Sequence, residues 1–151
     1  MAEATTLILG TLLGGMVMRI IGFLLMTVCM LQAEQWVIIG HGSLPNTRLD
    51  AEHVRALYLG KKHYLEEQRI KPLNLKSDNP LRQAFEQDIL DLDREEIHAY
   101  WIKQHYLGKR PPKVLSSVET LLRYVEQVEG TIGYVPLSAI GKHHVYVWYL
   151  P

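Results

Sequence analysis

Cysteine is almost missing: Cys29 is the only one in 151 residues, and it lies inside an apolar N-terminal stretch. The chain beyond that stretch therefore has no disulfide, no thiolate nucleophile and no cysteine ligand for a metal, so its stability must come from a packed core. An excess of charge of either sign is missing too. Lys plus Arg and Asp plus Glu number 16 each, with acidic residues interleaved among the basic ones. Nucleic-acid binding needs a broad basic stripe that releases counterions from a polyanion, and no such stripe is present in the sequence, so no nucleic acid is expected. The short basic pairs Lys61-Lys62 and Lys109-Arg110 read as solvated surface.

Spacings that carry chemistry are equally scarce. No His-x-x-x-His or His-Glu-x-x-His occurs for a metal, and Ser43, beside His41, lacks the Gly-x-Ser-x-Gly context of a nucleophile. His143 and His144 are adjacent, so on a strand they face opposite sides and do not readily chelate one ion. Asp91, Asp93, Glu95 and Glu96 cluster at a helix start, where negative charge is favourable without any function. The chain is read as a non-enzyme with no metal and no cofactor. Its length is near that of one domain, and neither an internal repeat nor a low-complexity linker divides it.

What is present in excess is apolar sequence at the start. Thr5 to Ala33 is broken by few polar residues, chiefly Arg19 and Gln32. A secretory signal needs a basic start, an apolar run of about 7–15 residues and a small residue before the cut. Met18-Arg19, Ile20 to Leu31 and Leu31-Gln32-Ala33 supply those parts, which gives residues 1–33 as a signal, cleavage after Ala33 and a periplasmic location. On this reading Met18 is the natural start and Met1 to Val17 an over-long one. The alternative is an uncleaved segment anchored in the inner membrane, in which Arg19 costs a few kcal/mol unless it snorkels. Val28 before Cys29 is larger than the residue that lipid attachment usually requires.

Residues 34–151 alternate strand and helix signals. Trp36 to Gly40 is a β-branched apolar run, and His41 to Thr47 is a loop. Asp50 is an N-cap for a helix over Ala51 to Leu59 that buries Val54, Leu57 and Tyr58, with Gly60 as its stop. Arg69 to Leu75 alternates as a strand whose Pro72 points to an edge or an irregular end. Ser77-Asp78-Asn79-Pro80 opens a helix running to about Leu90 and burying Leu81, Ala84, Phe85 and Ile89. Asp93 caps another through Gln104, with Ile97, Tyr100, Trp101 and Tyr106 as its packing residues. Ser116 and Glu119 have capping-box spacing for a helix ending near Val128. Thr131 to Val135 and Val145 to Leu150 are two further strands. In the last, Tyr146, Trp148 and Tyr149 are expected in a core between helices, an exposed aromatic edge being the other possibility. The fold class is α/β, with a small mixed sheet flanked by helices.

Three stretches resemble one family. They are Val54-Arg55-Ala56-Leu57-Tyr58-Leu59-Gly60-Lys61, Tyr100-Trp101 through Gly108-Lys109-Arg110-Pro111-Pro112, and Gly130-Thr131-Ile132-Gly133-Tyr134-Val135. In order and spacing they are similar to the substrate-binding proteins of phosphate ABC transporters. The resemblance implies a type II periplasmic-binding-protein-like fold, of which this chain has room for a single lobe. It further implies a small anion such as phosphate as ligand and an envelope or transporter protein as partner. A lone lobe grips its ligand from one side, so a homodimer or a docked partner is also implied.

The candidate ligand-binding residues are Ser43, Ser77, Asn79 and Arg82. Ser77-Asp78-Asn79 stands at a helix start, where unpaired amides favour an anion, and Arg82 one turn in adds a charged fork. Ser43 belongs to the loop Gly40-His41-Gly42-Ser43. The family's turn reads Arg-x-Asp-Gly-Ser-Gly-Thr. Set in register on Phe85, its ligand positions fall on Leu75, Ser77, Asn79 and Leu81, so two of the usual ligand side chains are lost and phosphate specificity does not carry over. The competing readings are a plain capped helix whose Arg82 pairs with a nearby acid, and an interaction module that has lost its ligand. The signal reading predicts that protein recovered from the periplasm begins at Glu34; an intact mass that includes residues 18–33 would instead establish the anchor.

Overall fold

A computed structural model of the chain describes residues 35–44 and 48–151. The signal or anchor over residues 1–33, with Arg19, Cys29 and the cut after Ala33, lies outside the described residues, as do Pro45, Asn46 and Thr47 of the first loop. Among the described residues no helix is long and apolar enough to cross a membrane.

The elements are β1 (Trp36–Gly40), α1 (Ala51–Tyr58), β2 (Tyr64–Leu65), β3 (Gln68–Arg69), β4 (Lys71–Leu75), α2 (Pro80–Phe85), a π-helical turn (Glu86–Leu90), α3 (Arg94–Tyr106), β5 (Lys113–Leu115), α4 (Val118–Gln127), β6 (Thr131–Pro136), a 3-10 turn (Leu137–Ala139) and β7 (Tyr146–Tyr149). Among the described residues one mixed sheet runs in the order β5-β4-β6-β1-β7, and β2 with β3 forms a separate short hairpin. β4 is parallel to both β5 and β6. β1 is antiparallel to β6 and β7. The α/β class with a mixed sheet between helices is therefore the observed one.

Alternation along β6 sorts the layers. Ile132 and Tyr134 face α1 and α2, where Phe85 stacks on Tyr134 with ring centroids 4.2 Å apart and Tyr58 lies 4.6 Å from Phe85. Trp36 meets Phe85 edge-on at 5.5 Å. Gly133 faces the other way, against α4, and a Cβ built on it would stand 2.5 Å from a methyl of the buried Leu121. Gly130 is required for a different reason. Its φ is +77°, and a Cβ there would meet the carbonyl oxygen of Arg69 at 2.5 Å, next to the bond from the Lys71 amide to the Gly130 carbonyl.

Helix starts follow the local chemistry. Asp50 accepts from the His53 amide, and Asp93 with Glu96 makes a reciprocal capping box. At α4 the expected pair is displaced by one residue: Ser117, not Ser116, caps the Thr120 amide, and Glu119 pairs instead with Arg123 at 2.8 Å. Two adjacent serines offer the backbone the same oxygen, and packing of Leu121, Leu122 and Val125 selects the phase.

Other expectations are corrected. The helix opening at Pro80 is α-helical only to Phe85, and its continuation widens to a π turn closed by Asp91 at φ +51°. The wider turn buries Glu86 along with Ile89 and Leu90. α3 extends to Tyr106, but that residue is 85% exposed, with the adjacent His105 ring edge-on to it, and is not part of the core. β4 is an interior strand, not an edge. Pro72 is tolerated because β5 pairs only from Leu73 onward, so the missing amide precedes the ladder. β7 is an edge strand; Trp148 is buried while Tyr146 is half exposed. A bulge opposite Ile38 and Ile39 breaks strict alternation, and Tyr149 turns to stack near Trp36.

Because Gly133 has ordinary strand geometry, steric fit alone governs it. Gly133→Ala is expected to cost about 1–3 kcal/mol through overpacking against Leu121, measured by urea unfolding; an unchanged midpoint would mean that α4 moves freely on the sheet.

Candidate functional site

In a sheet with parallel strands, ligands gather beyond the carboxyl ends, where loops leave the strands and helices begin. β4 ends at Leu75, and the turn Lys76 to Asn79 carries the chain into α2 at that end. Asn79 is the N-cap: its side-chain oxygen accepts from the Leu81 amide at 2.9 Å. Pro80 follows at the first helical position. Ser77 is exposed, and its carbonyl accepts from Arg94 at 2.9 Å and from Gln83 at 3.4 Å. These bonds fix the turn from outside.

Arg82 does not reach into solvent. Its Nε donates to Glu86 Oε1 at 2.6 Å and a terminal nitrogen donates to the Leu75 carbonyl at 2.7 Å. The side chains of Arg82 and Glu86 are 14% and 10% exposed. The guanidinium thus closes the end of β4 onto α2, and the pair is a strut as well as a source of charge. Glu86 is the partner that the plain reading of this helix anticipates, and its i, i+4 spacing from Arg82 was the available sign.

Ser43 is elsewhere. β1 is antiparallel to β6 whereas β4 is parallel to it, and Gly40 and Lys71 stand beside Ile132 and Thr131 at the same end of the sheet. Ser43, just past Gly40, is therefore at the amino end of β4, while Ser77 is past its carboxyl end. Ser43 Oγ contacts His41 Nδ1 at 2.7 Å and accepts from Gln68 at 3.2 Å. The structure brings Ser77, Asn79 and Arg82 together and leaves Ser43 at the opposite end, so one pocket does not hold all four.

Next to the turn is a cavity of about 670 Å³. Asn74, Ser77, Arg82 and Arg94 contribute polar groups, Glu86 and Glu95 carboxylates, and α3 and β5 an apolar wall that includes Trp101 and Val114. Asn74 is 6% exposed. Its oxygen accepts from the Tyr134 hydroxyl and from the Leu75 amide, whereas its amide nitrogen makes no hydrogen bond among the described residues and is not sealed from solvent. Asn74 escaped the sequence reading because alternation placed it as an ordinary polar position in a strand.

The histidines have local duties. His53 meets Asp50 at 2.6 Å, and the amide and ring bonds from His53 hold the Asp50 carboxyl below its ordinary range. His143 meets Glu126 at 2.9 Å; that bond, with the His144 amide, lowers the Glu126 carboxyl likewise. Among the described residues no three His, Cys, Asp or Glu side chains converge as a metal site.

No family model and no curated protein matches the chain. Its fold is similar to solved structures of an ABC-type phosphate transport receptor from Vibrio cholerae, with TM-score 0.59 and 16% identity over 75% of this chain and 44% of that one. A phosphate ABC transporter substrate-binding protein with bound phosphate from Clostridium perfringens gives 0.60 and 19% over 75% and 43%. PstS from Borrelia burgdorferi gives 0.58 and 14% over 75% and 46%. The chain spans less than half the length of these proteins, and at such identities the likeness is one of fold.

The strut makes a quantitative expectation. Arg82→Met leaves a buried carboxylate without its partner and is expected to cost about 3–5 kcal/mol, whereas Arg82→Met with Glu86→Leu recovers most of that loss. A double-mutant cycle by urea unfolding checks it; a single variant costing less than about 1 kcal/mol would place the pair among solvated surface bridges.

Proposed function

We propose that the chain is a non-enzymatic, single-lobe binding module of the phosphate-receptor type, working in the periplasm, that holds a small oxyanion such as phosphate at the carboxyl end of β4. The observation that carries this reading is the cavity at the carboxyl end of β4, where the amide of Asn74, held by bonds to its own oxygen, shares the wall with Ser77, Arg82 and Arg94. With the oxygen of Asn74 committed to the protein, its amide nitrogen is left to donate to an acceptor oxygen on a ligand. Fold likeness to phosphate receptors supports the same ligand class. Ser43 has no part in this site.

One lobe covers an anion on one side only. A transporter or other envelope protein, or a second copy of the chain, would supply the facing wall. A second reading, an accessory module that kept the lobe and lost the ligand, is favoured by the commitment of Arg82 to Glu86 and Leu75, which leaves less positive charge for an anion.

Thermal melts of the full chain with millimolar phosphate or sulfate separate the two. Binding to the folded state alone is expected to raise the midpoint by about 2–4 °C or more, and Ser77→Ala with Arg94→Met to remove the rise. No shift with either anion would leave the accessory module.

A further inference from the structure

The amino end of β4 and β5 has a character of its own. Parallel pairing sets Lys71 and Lys113, the first residues of the two strands, at one end of the sheet. β3 delivers Arg69 immediately before β4, and the connection from α3 delivers Lys109 and Arg110 just before β5. All five line a single cavity of about 700 Å³, and no Asp or Glu lines it. Among the described residues, none of the five forms an ion pair with a carboxylate.

Their protein partners are neutral. Lys71 Nζ donates to the Glu129 carbonyl at 3.3 Å, Lys109 Nζ to the Gly60 carbonyl at 3.4 Å, and Lys113 Nζ to the Tyr124 hydroxyl at 3.1 Å. Lys113 also sits 4.4 Å from the centre of the Tyr124 ring. Such acceptors hold the ammonium groups in place without cancelling their charge. Arg69 and Arg110 make no side-chain hydrogen bond among the described residues, so both guanidinium forks remain open for a bidentate oxyanion. Trp101 gives the same cavity an aromatic wall.

Five like charges gathered from two segments repel one another unless something neutralises them. The volume is that of a small-molecule site, and one carboxylate would leave most of the charge uncompensated. We propose that this groove binds a multiply charged, phosphate-bearing small anion, at the end of β4 opposite the cavity around Asn74 and Ser77. The site is independent of the function proposed above, because it shares none of the polar groups invoked there.

Phosphate of this kind comes either free or on a lipid headgroup, so the titration has two ligand arms. The full chain in neutral detergent is titrated calorimetrically with inorganic tripolyphosphate and with dihexanoyl phosphatidic acid, beside orthophosphate and citrate. A saturable isotherm is expected with one or both of the first pair, at least about tenfold tighter than with orthophosphate or citrate. Tighter binding of tripolyphosphate assigns a soluble ligand, and tighter binding of the lipid assigns a headgroup. Arg69→Ala and Arg110→Ala should each weaken it about tenfold or more, with thermal melts like those of the parent. Arg123→Ala, which alters a bridge on α4, should change nothing. Absence of a saturable isotherm with both ligands, citrate binding as tightly, or affinity unmoved in both arginine variants would overturn the proposal.

Discussion

Two tyrosine hydroxyls buried under the sheet determine where β4 must lie. A phenolic oxygen removed from water has to find a partner, and both of these find it on the same strand: Tyr58 donates to the Leu73 carbonyl at 3.1 Å, and Tyr134 donates to Asn74 while accepting from the Leu75 amide. Phe85, wedged against both rings, fills the space between them. α1 and β6 are therefore each tied to β4 by a polar contact inside an apolar layer. With β4 so held, its carboxyl end meets α2 and its amino end meets the hairpin, and the two cavities follow from those ends.

The glycines of the phrase Gly130 to Val135 have steric reasons that say nothing of ligands. Gly130 adopts a left-handed turn against the Arg69 carbonyl, and Gly133 lets α4 lie close to β6. Any chain that lays a helix over that strand meets the same demand. Resemblance through this phrase thus carries the fold, which agrees with similarity to solved phosphate receptors at 14–19% identity. The turn after Leu75 departs from the resembled motif, since Leu75 and Leu81 stand at two of its polar positions.

What was legible in the sequence was local. Asp50, Asn79 and Asp93 are caps because a short side chain reaches the next amides whatever the rest of the chain does. What was hidden depended on distant partners. β5 is three residues long with only Leu115 buried, so it has no period of its own and exists through its ladder with β4. Ser43 and Ser77 looked equally fit for one loop cluster because sequence order does not reveal strand direction, and β1 runs against β4. Charge misled in a similar way: a net charge of zero conceals a basic amino end and an acidic junction between α2 and α3, where Glu86, Asp91, Asp93 and Glu96 share a cleft.

The buried tyrosines also set an alkaline boundary for the domain. Burial pushes both phenols above their ordinary range, since a phenolate would have to form without water around it. A group that holds its proton more tightly when folded stabilises the fold fully below its unfolded value, near pH 10, and this stabilisation fades as the pH climbs toward the folded value. Tyr58 and Tyr134 are therefore expected to ionise later than the exposed phenols as the pH rises. Their delayed phenolate absorbance makes them an internal gauge of whether the strand between them is still in place.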